Sequence, residues 1–161
     1  KNGIVTATYF WVGSEAPIGG HYPTYYKNYE LGIDPMDKVD QVIDWLRLPI
    51  QERPRLVCLY FNEPDHSGHV YGATSSEVNE QIKITDEILG YLLKSLKTLN
   101  IYGEVNIVIV SDHGMVDVTE EKVLNIDDFN LPGIIHGKGP IMDVMETGFI
   151  KDHLGDTKNT S

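Results

Sequence analysis

The stretch Leu56-Val57-Cys58-Leu59-Tyr60-Phe61, followed directly by Asn62-Glu63-Pro64-Asp65-His66-Ser67-Gly68-His69, decides the fold. Its first six residues have no charged side to offer solvent. Such a run suits a strand covered on both faces, as in the parallel sheets of α/β proteins. The arrangement recurs at Val105-Asn106-Ile107-Val108-Ile109-Val110, followed by Ser111-Asp112-His113-Gly114. In open α/β sheets, ligands bind beyond the carboxyl ends of the strands. An Asp/His pair follows each of these two runs, and the shared location points to metal-dependent catalysis.

The donor types agree with zinc. Asp oxygen and neutral His nitrogen bind zinc at about 2.0–2.2 Å when thiolates are absent, whereas calcium takes more oxygens and no imidazole. In Asp65-x-x-x-His69 the two side chains lie one helical turn apart if the segment is turned, so both can face one ion. Gly68 is expected to admit a tight or left-handed conformation just before the His. Asp112 and His113 differ, because neighbours on a strand point to opposite faces. They share an ion only where the strand has ended and the backbone bends, which Gly114 permits. Each pair supplies two ligands, too few to close a tetrahedral site, so more must come from elsewhere. Taken alone, either pair is as well explained by a strand-end Asp capping a helix and a solvated surface His. Together, at two strand ends, they favour metal.

Working outward, residues 4–11 mix β-branched and aromatic side chains and read as a strand, and a Gly/Pro-rich loop follows through residues 12–29. Asp34-Pro35 has the form of an N-cap with proline at the first helical position. Val39, Val42, Ile43 and Leu46 then recur with helical spacing until Pro49. Thr74-Ser75-Ser76-Glu77 has the form of a capping box. It opens a helix running to about Leu99, with Val78, Ile82, Leu89, Leu92, Leu93 and Leu96 on its buried side. Strand, helix, strand, helix, strand implies βαβ crossovers and a parallel sheet. Beyond Val116 the pattern weakens. Residues 133–137 hold a short strand at most, and residues 152–161 read as a frayed polar tail.

At 161 residues the chain fits one domain, or part of one, with room for a core, and 41% hydrophobic with 23% charged residues is ordinary for a globular chain. It has neither an apolar run long enough for a membrane span nor a signal-peptide pattern. The start at Lys1 rather than Met reads as a processed or excised piece. A net charge of −11 argues against a nucleic-acid-binding surface. An anionic substrate would need local neutralisation, which bound cations supply. The single Cys58 lies inside an apolar strand and reads as a small buried hydrophobe. Asn159-Thr160-Ser161 fits the N-glycosylation pattern of a glycoprotein, usable only in a secretory setting.

Residues 7–115 resemble the nucleotide pyrophosphatase/phosphodiesterase family of the alkaline phosphatase superfamily. The matching motifs are Phe10-Trp11-x-Gly13-Ser14, Trp45-Leu46, Glu63-Pro64-Asp65-x-x-Gly68-His69-x-x-Gly72 and Ser111-Asp112-His113-Gly114-Met115, in the family's order. The resemblance implies an α/β fold, alkaline-phosphatase-like, with a mostly parallel sheet carrying helices on both faces. It further implies an extracellular or cell-surface two-zinc ectoenzyme that hydrolyses phosphodiester and pyrophosphate bonds through a phospho-threonine intermediate. Asp65 and His69 would bind one zinc, and Asp112 and His113 the other. Trp11 and Tyr29 match aromatic positions of the nucleotide pocket, with ordinary strand-end packing as the equal alternative.

The family's nucleophilic threonine, an upstream Asp ligand and a downstream His ligand have no counterpart here. Residues 1–161 are therefore expected to be an incomplete part of the catalytic domain, inactive alone, with any membrane tether outside the chain. Pro23-Thr24-Tyr25-Tyr26 is superficially similar to the nucleophile motif but falls in a pocket loop. His136-Gly137 is similar to the downstream ligand motif but aligns with a non-ligating strand. A choline-phospholipid phosphodiesterase and a non-catalytic metal- or nucleotide-binding fragment remain as alternatives. A sulfatase-like or phosphomonoesterase relative shares the metal logic, but the Glu-Pro-Asp-x-x-Gly-His form argues against it.

Overall fold

The computed structural model describes residues 3–118, 135–136 and 143–144. Three strands, β1 (Thr6–Tyr9), β2 (Tyr25–Lys27) and β3 (Leu56–Leu59), form a parallel sheet in the order β2-β1-β3. Ala7 stands opposite Tyr25 and Val57, and Tyr9 opposite Lys27 and Leu59. Since alternate strand residues share a face, Ala7, Tyr9, Tyr25, Val57 and Leu59 line one side. That side packs against Val39, Val42, Ile43, Trp45 and Leu46 of helix α1 (Pro35–Arg47). Fully burying each aliphatic side chain of this layer contributes roughly 1.5–3 kcal/mol.

Helix α1 begins and ends as its sequence dictates. The Asp34 carboxylate accepts from the Met36 amide at 2.9 Å, with Pro35 in the first turn, and the helix stops at Arg47, two residues before Pro49. Helix α3 (Ser76–Thr98) lies against α1 and adds Ile88 and Leu96 to the core. Its entry differs from the expected capping box. Ser75, not Thr74, is the cap, accepting from Val78 N at 3.2 Å, while Glu77 is engaged by the Ser76 hydroxyl. Its buried stripe agrees with expectation at Val78, Leu92 and Leu96 and departs from it at Ile82 and Ile88. Val78, Ile88 and Leu96 are buried, whereas Ile82 is 49% exposed. Positions 78, 81, 85, 88, 92 and 96 follow the i, i+3, i+4 rule, and Gln81 and Thr85 on that stripe hid it from an apolar count.

Two strand expectations are corrected. The loop of residues 12–29 contains β2, a short strand laddered to β1, with Tyr25 stacked on Trp45 and its hydroxyl donating to Glu52 O. Residues 105–110 form no ladder among the described residues, and Val108, Ile109 and Val110 are 81%, 70% and 67% exposed. An apolar β-branched run favours extended backbone, but a strand exists only where another chain edge accepts its hydrogen bonds. Here a 3-10 turn (Tyr102–Glu104) precedes the run.

The chain divides into two compact units, Lys1–Asp117 and Val118–Ser161. In the second, β4 (Ile135–His136) pairs antiparallel with β5 (Asp143–Val144), so His136 lies in a strand as expected. Residues 133–134 and 137, the tail at 152–161 and the Asn159 glycosylation pattern fall outside the described residues. No described helix is long and apolar enough to cross a membrane.

Candidate functional site

Directly beyond β3, the chain turns through a cis Glu63–Pro64 peptide into the short helix α2 (Asp65–Tyr71). Glu63 caps it, its Oε2 accepting from Ser67 N at 3.1 Å. That satisfies one of the amides a helix start leaves unpaired and removes Glu63 from the set of free carboxylates. Asp65 opens the helix and His69 follows one turn later, with Nε2 of His69 3.5 Å from Oδ1 of Asp65. Gly68 is helical and takes no left-handed conformation. Its need is steric, because the Met115 sulfur occupies the place where a β-carbon would stand. The left-handed glycine is Gly72, at φ +94°, which ends the helix.

The second cluster meets the first. The chain bends at Asp112, as sharing an ion requires. His113 Nε2 lies 3.6 Å from Asp65 Oδ1 and 3.7 Å from Asp112 Oδ2. All four expected ligands are thus strung together, with Asp65 between the two imidazoles. These separations are too long for hydrogen bonds. Two donors held tetrahedrally at zinc distances stand about 3.3–3.6 Å apart. Asp65 Oδ1 is buried and, among the described residues, has no hydrogen-bond partner, although the side chain as a whole is partly exposed. A buried carboxylate oxygen without a partner is costly, and a cation satisfies it. Among the described residues no group of three or more donors could hold an ion by itself.

The backbone after it orients the His113 ring. A carbonyl can only accept, so the Nδ1–H donates to Gly114 O at 2.9 Å. In the neutral ring that leaves the Nε2 lone pair toward Asp65. The same Gly114 bond, with Asp112 and more weakly Asp65, raises the His113 pKa above that of free imidazole, against a smaller opposing effect of desolvation.

An aromatic cluster adjoins these carboxylates. Phe10 packs on Tyr29 at 4.9 Å between ring centroids and edge-on against Tyr60 at 5.1 Å. Phe10 holds φ +46°, unusual for a bulky residue. Two bonds fix the turn after it, from Trp11 N to Ser14 Oγ at 3.0 Å and from Ser14 N to Trp11 O at 2.7 Å. Trp11 and Tyr29 remain 42% and 37% exposed, open enough for a planar ligand. Sequence reasoning passed over Tyr60. Burial, then Asp112, Asp65 and Tyr29, push its pKa up and keep the phenol protonated. Its place at the end of the first apolar run, five residues before Asp65, was the available signal. Thr24 lies elsewhere. Its hydroxyl accepts from Thr6 N at 3.3 Å, at the amino end of the strands, whereas the Asp/His clusters follow their carboxyl ends.

Fold and site together define a parallel α/β protein of the alkaline-phosphatase-like kind. The profile of the type I phosphodiesterase/nucleotide pyrophosphatase family matches residues 1–153, and the chain belongs to that family. Among curated proteins, it is 37% identical over 151 residues to venom phosphodiesterase 2 of Crotalus adamanteus, covering 93% of this chain and 19% of that protein. It is 38% identical over 127 residues to human ectonucleotide pyrophosphatase/phosphodiesterase family member 1, covering 79% of this chain and 15% of the relative. Among solved structures, mouse ectonucleotide pyrophosphatase/phosphodiesterase 5, inactive and in complex with AMP, superposes with a TM-score of 0.79 at 29% identity, over 92% of this chain and 40% of that one. The chain thus spans about a fifth of the length of the curated relatives.

Proposed function

We propose that this chain is a central part of the catalytic domain of a zinc-dependent phosphodiesterase that hydrolyses phosphodiester or pyrophosphate bonds in nucleotides. The observation that carries the reading is the convergence of Asp65, His69, Asp112 and His113 around a buried, unpartnered Asp65 oxygen. Asp65 and His69 would hold one zinc, and Asp112 and His113 a second, with further ligands from outside the described residues. When bound, two such ions polarise a phosphoryl oxygen and lower the pKa of an attacking hydroxyl.

The chain's own residues do the rest. Asp65 and Asp112 concentrate negative charge that favours cations, and these in turn make an anionic phosphate welcome on a chain of net charge −11. Gly114 fixes the His113 tautomer. Trp11 and Tyr29 offer faces on which a base stacks, and Phe10 packs on Tyr29 while resting edge-on against Tyr60. The AMP bound by the mouse relative and this aromatic cluster favour nucleotides over choline phospholipids. That relative is described as inactive with a threonine replaced by alanine, which agrees with a threonine nucleophile upstream of this segment. The names of the relatives, ectonucleotide pyrophosphatases and venom enzymes, suit an extracellular or cell-surface setting.

Bound zinc and hydrolysis of a nitrophenyl nucleotide ester are the measurements, made on this chain and on the same chain extended by its flanking sequence. The expected result is hydrolysis by the extended chain that is abolished by Asp112→Ala. Metal-free and inert protein in both forms leaves only a non-catalytic fragment.

A further inference from the structure

We infer that Met115 and Asp117 are positioning residues that dock the second Asp/His cluster onto the glycine face of the first, and so set the gap between His113 and Asp65. The inference rests on the reading of the two clusters as one metal site.

Val105 packs against the core, but among the described residues no strand pairs with residues 105–118. Among the described residues, the hydrogen bonds that join this segment to the rest of the molecule both end on Asp117. Its Oδ1 accepts from Ala73 N at 2.7 Å, and its Oδ2 accepts from the Thr74 hydroxyl at 3.2 Å. Both partners sit in the turn between α2 and α3. The second anchor is Met115, whose Sδ fills the place of a Gly68 β-carbon and whose Cε lies 3.0 Å from it. A β-carbon on Gly72 would stand 3.1 Å from Asp117 Oδ1.

The two glycines of Glu63-Pro64-Asp65-x-x-Gly68-His69-x-x-Gly72 are therefore receiving sites for two side chains of the other cluster. Gly68 lies between Asp65 and His69, and Met115 follows His113 by two residues. A shift of either anchor moves one imidazole relative to the shared carboxylate. Exposed carboxylates are usually worth little, but this one takes two hydrogen bonds, one of them short and from a backbone amide, and charged acceptors strengthen such bonds.

The test uses the full chain and two readouts. In metal-free protein, NMR cross-peaks between the Met115 methyl and the Gly68 α-protons report docking, and hydrogen exchange of the Ala73 amide reports the Asp117 bond. Zinc affinity by competition titration reports the consequence. Asp117→Ala is expected to speed Ala73 exchange, weaken the cross-peaks and lower zinc affinity roughly 10–100-fold, the range for residues that orient ligands. Asp117→Asn keeps an oxygen acceptor and should retain most of the affinity. Gly68→Ala is expected to displace Met115 and weaken zinc binding, and adding Met115→Ala should relieve the clash, so the double variant binds no worse than Met115→Ala alone. Unchanged zinc affinity in Asp117→Ala, or additive losses in the double variant, overturns the inference. Failure of the underlying reading looks different: the parent chain takes up no zinc while its Met115–Gly68 cross-peaks are intact. Persistence of those cross-peaks in metal-free Asp117→Ala then overturns the docking as well.

Discussion

The two halves of the candidate site are built in different ways. Asp65 and His69 stand on a helix whose first turn is capped by Glu63 and whose chain enters straight from β3. Asp112 and His113 stand on a segment with no ladder among the described residues and with 67–81% of Val108, Ile109 and Val110 open to solvent. The first half is held by local bonds, the second by side-chain contacts back to the first. Local hydrogen bonds close short loops at low entropic cost, whereas the second half depends on contacts made across 40 or more residues. A site assembled this way should have one rigid half and one half that moves when its anchors are cut.

Substitutions that act on one region and not the other sharpen the contrast. The largest effect belongs to the core beneath the sheet. Leu96, 2% exposed and packed in the same cluster as Ala7 and Ile43, should cost about 2–5 kcal/mol on Leu96→Ala, measured by urea unfolding. Next comes the cap of the first half. Glu63→Ala removes the acceptor of the Ser67 amide and should cost about 1 kcal/mol. In the same variant, amide exchange should quicken within α2 but not at residues 111–114. A loss of protection at both would break the comparison.

Val108→Ser, at an 81% exposed position, should change unfolding free energy by less than about 0.5 kcal/mol. A cost of several kcal/mol there would mean the segment is packed after all. The smallest effect concerns pH. Lys38 is 4% exposed, its ammonium 6.0 Å from the centroids of Tyr9 and Phe61, and burial lowers its pKa. The folded state therefore binds fewer protons than the unfolded one between that lowered value and the ordinary lysine value. Stability should rise slightly with pH across this window, and Lys38→Met should flatten the rise.

Several features were legible without coordinates because their causes are local. Asp34 and Pro35 specify the start of α1, since a short side chain and a fixed φ suffice for a cap. The Leu56–Phe61 run specified β3, and the same spacing placed Asp65 and His69 on one turn. The α3 stripe was right at Val78, Leu92 and Leu96, but Ile82 was misplaced and Ile88 missed because Gln81 and Thr85, polar and half-buried, interrupt the apolar pattern. β2 went unseen in a Gly/Pro-rich loop because three residues carry no periodicity to read. Gly68 was given a backbone role when its role is to leave room for a sulfur atom 47 residues away in sequence.

By itself the sequence determined the class of fold, the family and the four side chains that face one another, because residue type and spacing record local geometry and chemistry. Only the tertiary structure decided that Asp65 Oδ1 is buried between two imidazoles, that Tyr60 joins the aromatic cluster beside the carboxylates, and that residues 105–110 form no ladder among the described residues. Those outcomes depend on which distant backbone and side-chain groups arrive at the same place, and no local pattern encodes that.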